Sequence, residues 1–171
     1  MHGIYILSLK KYYQSMDMEH DISLSVTLRP VWHQDPPLIE ISCNRDVQTV
    51  SLDQIQTFKF DYRGAGPQHL SIKFLNKKDG DTIPSLGLDK CLVIEQISFF
   101  GISDPKFIWV GQYNPVYPEP WASQQRDAGH TLEEVLINTN TLSWNGEWKL
   151  EFHSPIFTWI HKLQNLGWTY S

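Results

Sequence analysis

Ile22, Leu24, Val26 and Leu28 alternate with Ser23, Ser25 and Thr27, and this period of two returns along the chain in short runs divided by turn residues. Successive side chains of a strand point to opposite faces, so each such run buries one face and wets the other. A helix would scatter the same residues around its circumference. The first run begins at Asp21 and stops at Pro30, which has no backbone donor to offer a neighbour. After the turn-rich residues 33–37, Leu38, Ile39 and Ile41 open a second strand, and residues 47–52 read as a weaker third. Phe58, Phe60 and Tyr62 alternate up to Gly64-Ala-Gly-Pro, after which Leu70, Ile72 and Phe74 share a face.

Residues 76–82 then turn the chain into its longest apolar run, residues 91–102, which is interrupted by Glu95, Gln96 and Ser98. Its Ile and Phe content predicts a central strand buried on both sides. Strands over 107–113, 141–144 and 147–153 complete the set, and Asn145-Gly146 is the strongest hairpin signal. About nine short strands with turns between them predict an all-β fold, an antiparallel β-sandwich.

The two ends depart from this pattern. Ser154-Pro155 reads as a helix N-cap and first turn, followed by Ile156, Trp159, Ile160, Leu163 and Leu166 at helical spacing before Gly167. A short C-terminal helix closing one end of the sandwich is one reading; a final strand through Phe157, Thr158 and Trp159 is the other. Residues 1–20 fit no core pattern, so the chain divides into an N-terminal arm, 1–20, and a sandwich domain, 21–171. The arm is either a spurious extension of the reading frame or a segment that orders on a neighbour.

Composition narrows the classes. A chain of 171 residues, 41% hydrophobic and 19% charged, has the size and balance of one globular domain with an ordinary core. The net charge is −5 with no Lys/Arg cluster, which excludes the electrostatic footprint of a nucleic-acid binder. No apolar run is long enough to span a membrane, and the first residues lack the basic region and cleavage site of a signal peptide. A soluble product made in a cytoplasm is the expectation. Cys43 and Cys91 are too few for a disulfide framework; two buried free thiols are expected, with their pairing left open.

Chemistry is harder to place than binding. There is no G-x-S-x-G elbow, neither cysteine has a catalytic context, and the seven histidines form no HxH or HExxH pattern. Glu147 and Glu151 would lie roughly 13 Å apart along a strand, beyond the separation of paired glycosidase carboxylates. A non-enzymatic protein is the expectation. Asp79, Asp81 and Asp89 raise a calcium site, since hard cations take loop carboxylates, but Asp79-Gly-Asp lacks EF-hand spacing and exposed turns carry Asp and Gly for their geometry alone.

Aromatic residues carry the stronger signal. In Tyr-Asn-Pro-Val-Tyr-Pro-Glu-Pro-Trp, residues 113–121, three prolines in six positions exclude a helix or interior strand and predict a stiff extended arm. Tyr113, Tyr117 and Trp121 ride on it, with Trp109 and Trp144 as further candidates for a contact surface. The rings either cap the domain's own core or meet a partner. Trp148 shares a face with Leu150 and Phe152 and belongs to the core.

Residues 70–82 (LSIKFLNKKDGDT), residues 89–102 (DKCLVIEQISFFGI), and YPEPW at 117–121 followed by LSWNGEWKLEF at 142–152 form a familiar order. This order resembles small structural proteins of tailed bacteriophages, especially those of marine and cyanobacterial hosts. It is also similar to jelly-roll sandwiches of the carbohydrate-binding-module type. The likeness covers roughly residues 69–163 and rests on spacing and on the Asn-Gly-x-Trp motif. The phage resemblance implies a virion component of tail, neck or capsid surface, with other virion proteins as partners in several copies. The second likeness implies a lectin-like module that takes host surface polysaccharide on exposed aromatics.

Overall fold

The computed structural model describes residues 18–164; most of the 1–20 arm, and Leu166, Gly167 and Trp168, lie outside them. Among the described residues eleven strands follow in chain order: β1 (His20–Val31), β2 (Leu38–Cys43), β3 (Asp46–Ser51), β4 (Gln56–Gly64), β5 (Gly66–Phe74), β6 (Cys91–Phe99), β7 (Ile102–Ser103), β8 (Gln112–Pro115), β9 (Leu136–Ile137), β10 (Thr141–Leu142) and β11 (Gly146–Ser154). One sheet runs β10-β6-β1-β4, with β7 also paired to β6, and the other runs β3-β2-β5-β11-β8-β9. Every strand pairing is antiparallel. The predicted antiparallel β-sandwich is the fold.

The alternating residues supply its interior. Ile22, Leu24, Val26, Leu28, Phe58 and Phe60 of one sheet join Ile39, Ile41, Leu70, Ile72, Phe74, Trp148, Leu150 and Phe152 of the other in one buried cluster. Each such side chain contributes about 1.5–3 kcal/mol relative to exposure. Trp148 is 0% exposed because Gly111 makes room for it: a Cβ there would stand 2.1 Å from Trp148 Cζ2. The interruption in the long apolar run also finds its cause. Thr27 pairs with Gln96 and Leu28 with Ile94, leaving Glu95 as a bulged extra residue. The bulge resets the alternation, so Leu92 and Ile94 before it and Ile97 and Phe99 after it all face inward. Residues 91–94 are buried without a break, whereas Glu95 and Gln96 are exposed, so only the first half of β6 is covered on both sides. Cys43 and Cys91 are buried free thiols in opposite sheets, and burial pushes both above the ordinary thiol range.

Among the described residues three α-helices differ in how well the pattern foretold them. The C-terminal one, α3 (Ile156–Gln164) below, follows the helical reading: Ile156, Ile160 and Leu163 are buried. At nine residues it depends on that docking, since so short a helix is marginal alone. Ser154 is not its side-chain cap. The residue ends β11, and its buried hydroxyl has no hydrogen-bond partner among the described residues.

The other two correct the reading of the middle of the chain. Residues 107–113 are not one strand. They divide between α1 (Lys106–Trp109) and β8. The proline arm is not a free ribbon either: β8 lies inside its sheet between β11 and β9, and α2 (Trp121–Asp127) begins at its far end. Prolines are compatible with both. Pro115 is beyond the reach of β9, which pairs only with Gln112 and Tyr113. Pro120 stands at the N-cap, where the first backbone N–H groups of a helix have no intrahelical partner to lose. Among the described residues no helix is long and apolar enough to cross a membrane.

Candidate functional site

Asn145-Gly146, the expected hairpin, is instead the corner at which the chain leaves one sheet for the other. β10 pairs with β6, while β11 pairs with β5 and β8. Gly146 has φ +148°, and a Cβ on it would sit 2.3 Å from the Asn114 carbonyl oxygen, so a side chain is excluded by space as well as by backbone. Asn145 uses its amide as a substitute backbone. Its Oδ1 accepts from the Lys77 N–H at 2.7 Å, and its Nδ2 donates to the Lys77 carbonyl at 3.1 Å. The corner is thereby locked to the loop that follows β5.

Trp144, just before the corner, is held from beneath by Tyr113. The Tyr113 hydroxyl donates to the Trp144 carbonyl and accepts from the Trp144 N–H at 3.0 Å. Tyr113 is 0% exposed, and burial raises its hydroxyl pKa far above the ordinary phenol value. This corrects the expectation that its ring meets a partner: Tyr113 positions Trp144 from inside the core. Tyr117 and Trp121 do stand at the surface, partly exposed. Their ring centroids lie 6.1 Å apart, with Trp144 at 5.1 Å from Tyr117 and 6.1 Å from Trp121. The Tyr117 hydroxyl donates to the Glu133 carbonyl at 2.6 Å, which fixes the ring. Glu119 tightens the start of α2, accepting from the Ser123 hydroxyl at 2.7 Å and from its N–H at 3.2 Å. Those bonds, with Arg126 nearby, lower the Glu119 carboxyl below its usual range. Trp109, on α1, is 42% exposed and does not line the cavity described next.

Trp121 and Trp144 form one wall of a cleft of about 720 Å³. The opposite wall is the loop after β5, which brings Lys77, Lys78, Asp79 and Asp89 to the same space. The two features read separately from the sequence, aromatic arm and acidic turn, thus meet. Gln124, Ser143 and Asn145 add neutral polar groups.

The three aspartates do not share one site. Asp89 accepts at Oδ1 from Lys77 Nζ and from the Thr82 hydroxyl, both at 2.7 Å. Burial pushes its pKa up, and these hydrogen bonds more than offset it, so the net direction is down. Asp81 turns away from the cleft into the protein, 2% exposed, where Oδ2 accepts from the Lys78 N–H at 2.7 Å and faces Lys90 Nζ at 3.5 Å. Asp79 stays at the cleft. Among the described residues no group of three or more His, Cys, Asp or Glu is placed to hold a metal ion. The lysines were the signal missed: Lys77 and Lys78 precede Asp79, Asp81 and Asp89 and Lys90 follows them, so the carboxylates are flanked by cations that can pair with them.

No family model matches the chain, and no curated protein does. Two solved structures are similar to it. One is the selenomethionine form of vCBM60, from work linking two families of calcium-dependent carbohydrate-binding modules by circular permutation; it is 14% identical over 77% of this chain and 90% of that one, with a TM-score of 0.43. The other is vCBM60 in complex with galactobiose, 15% identical over 75% of this chain and 96% of that one, with a TM-score of 0.40. No residue or ligand is carried over from either of them to this chain. The resemblance to phage structural proteins has no counterpart in these findings.

Proposed function

We propose that this chain is a non-enzymatic carbohydrate-binding module that takes a segment of a neutral oligosaccharide or polysaccharide in the cleft between Trp121, Trp144 and the loop after β5. The observation that carries this reading is the convergence of two indoles, Trp121 and Trp144, both braced by Tyr117, and a polar, fixed loop on one cavity of about 720 Å³. That volume falls within the range for sites that enclose a small organic ligand. Sugars present an apolar C–H face and a rim of hydroxyls. Partly exposed indoles suit the face, while carboxylates, ammonium groups and amides suit the rim. Two ammonium groups and three carboxylates line the cleft, so it has no excess of positive charge to select a polyanion.

Titration of tryptophan emission with a panel of neutral polysaccharides tests the reading. Quenching by at least one of them, abolished in Trp121→Ala, is the expected result; a panel without response overturns it. A virion-assembly role is the second use such rings could have, and the edge strands β3 and β4 support it, because among the described residues each pairs on one side only. It predicts self-association or recovery in stoichiometric copies with particles, and no saccharide response.

A further inference from the structure

Lys90 immediately precedes β6, and its side chain is 1% exposed. Its Nζ donates to Asp35 Oδ2 at 3.1 Å and to the Asn76 carbonyl at 3.1 Å, with Asp81 Oδ2 at 3.5 Å. The three oxygens come from two segments: the turn between β1 and β2 supplies Asp35, and the loop after β5 supplies Asn76 and, in its 3-10 turn Asp79–Asp81, Asp81. The same turns are tied together around this point. Asn76 accepts from the Leu38 N–H at 2.7 Å and donates to the Pro36 carbonyl at 3.0 Å, while His33 Nε2 donates to the Asp81 carbonyl at 2.7 Å. Carboxylate and carbonyl oxygens drawn from loops are the donor set a hard divalent cation requires. Here the three protons of one ammonium answer three oxygens.

We infer that Lys90 is a built-in cation: it organises the loop wall of the cleft, and neither that wall nor ligand binding needs calcium or another divalent ion. A divalent ion placed among these oxygens would face the Lys90 charge at contact distance, so it could enter only by expelling the lysine. Asp81 is nearly as deeply buried as Lys90, and although its Oδ2 keeps the Lys78 N–H, a buried carboxylate without an opposite charge is strongly disfavoured. Loss of Lys90 therefore releases the 76–82 loop, which carries Lys77, Lys78 and Asp79 to the cleft. The consequence for ligand binding rests on the carbohydrate reading; the consequence for stability does not.

Thermal melts without any saccharide test it first. The wild-type melting temperature should agree within about 1 °C in millimolar calcium and in chelator, since an ion bound to the native state would raise it. A rise of several degrees in calcium overturns the inference. Lys90→Met should melt on the order of 8 °C lower, and an unchanged melting temperature overturns it. Lys90→Ala, which vacates the space, should also melt lower, and partial recovery in calcium supports the built-in cation directly. Should neither variant fold, the wild-type melts decide alone. Saccharide titration then adds an independent arm: binding retained in chelator supports the inference, and binding seen only with calcium overturns it. Absence of any saccharide response under both conditions counts against the carbohydrate reading, and the melts then decide the role of Lys90.

Discussion

Two aromatic clusters stand near opposite ends of β11, and the same residue types do different work in them. At the far end Trp159 packs on Phe99, Phe107 and Phe152 with ring centroids 5.3, 5.5 and 6.0 Å away. Helix α3 carries Trp159, itself partly buried, and lays Ile156, Ile160 and Leu163 over that end, and the three phenylalanines beneath are fully buried. At the near end Tyr117, Trp121 and Trp144 touch at similar distances, yet among the described residues no helix covers them. Trp121 and Trp144 face a cleft also lined by Lys77 and Asp89, which form an ion pair. Ring contact by itself therefore distinguishes nothing. What separates a sealed cluster from a presented one is the element laid over it, and here that is an apolar helix in one case and a charged loop in the other.

The contrast is broken most severely at the sealed end. Phe152→Ala should cost about 3–5 kcal/mol of stability, read by denaturant unfolding, while saccharide affinity of the folded protein stays within about twofold of wild type. A loss of affinity out of proportion to unfolding would mean that the two clusters are not independent. Tyr113→Phe comes next, because it belongs to both worlds: a buried hydroxyl that supports a presented ring. It should cost about 1–3 kcal/mol by leaving backbone groups of Trp144 without their partner, and it should weaken binding as well. Stability lost with binding intact would detach Trp144 from the site.

Trp121→Ala should do the reverse of Phe152→Ala. Its stability should change by about 1 kcal/mol or less, while affinity falls roughly tenfold or more, about 1.4 kcal/mol. Equal effects on stability and binding would make the near cluster a second piece of core. The smallest effect is that of pH on the loop wall. The hydrogen bond from Lys90, outweighing burial, sets Asp35 below the usual carboxylate range, and Asp89 also lies below it. Carboxyls depressed in the folded state stabilise it above their unfolded pKa, near 3.9, and that contribution is lost as pH falls through the lower folded values. Melting temperature should be insensitive to these two groups between pH 7 and about 5 and should decline below about 4. Asp35→Asn should flatten the decline, and an identical acid profile in that variant would remove Asp35 from the account. Both groups are partly exposed, so solvent screening keeps the effect modest.

Much of the sandwich was legible because strand alternation is a local property. Ile22 to Leu28 needed only their own spacing to declare an inner face, whereas the break at Glu95 became a bulge only once β6 was paired with β1. The proline arm was misread for a reason equally physical. Proline removes a donor, but whether that donor was needed depends on the neighbour, and no neighbour is visible in a linear chain. Pro115 lies past the end of β9, and Pro120 lies at a helix start, so neither donor was missed. Asn145-Gly146 failed as a hairpin for the same reason: the positive φ open to Gly146 serves a corner between sheets as well as a turn within one.

The amino-acid order by itself determined which strand side chains would leave water, since period-two burial follows from residue type and spacing; it left open whether the two thiols pair and whether the C-terminal segment is helix or strand. Only the tertiary structure decided that Tyr113 supports a ring rather than presenting one, that Trp121 and Trp144 share a cleft with Lys77, and that Lys90 reaches Asp35 and Asp81. Those relations join segments far apart in the chain. They are set by which strands pair and where the chain crosses between sheets, and no local spacing encodes either.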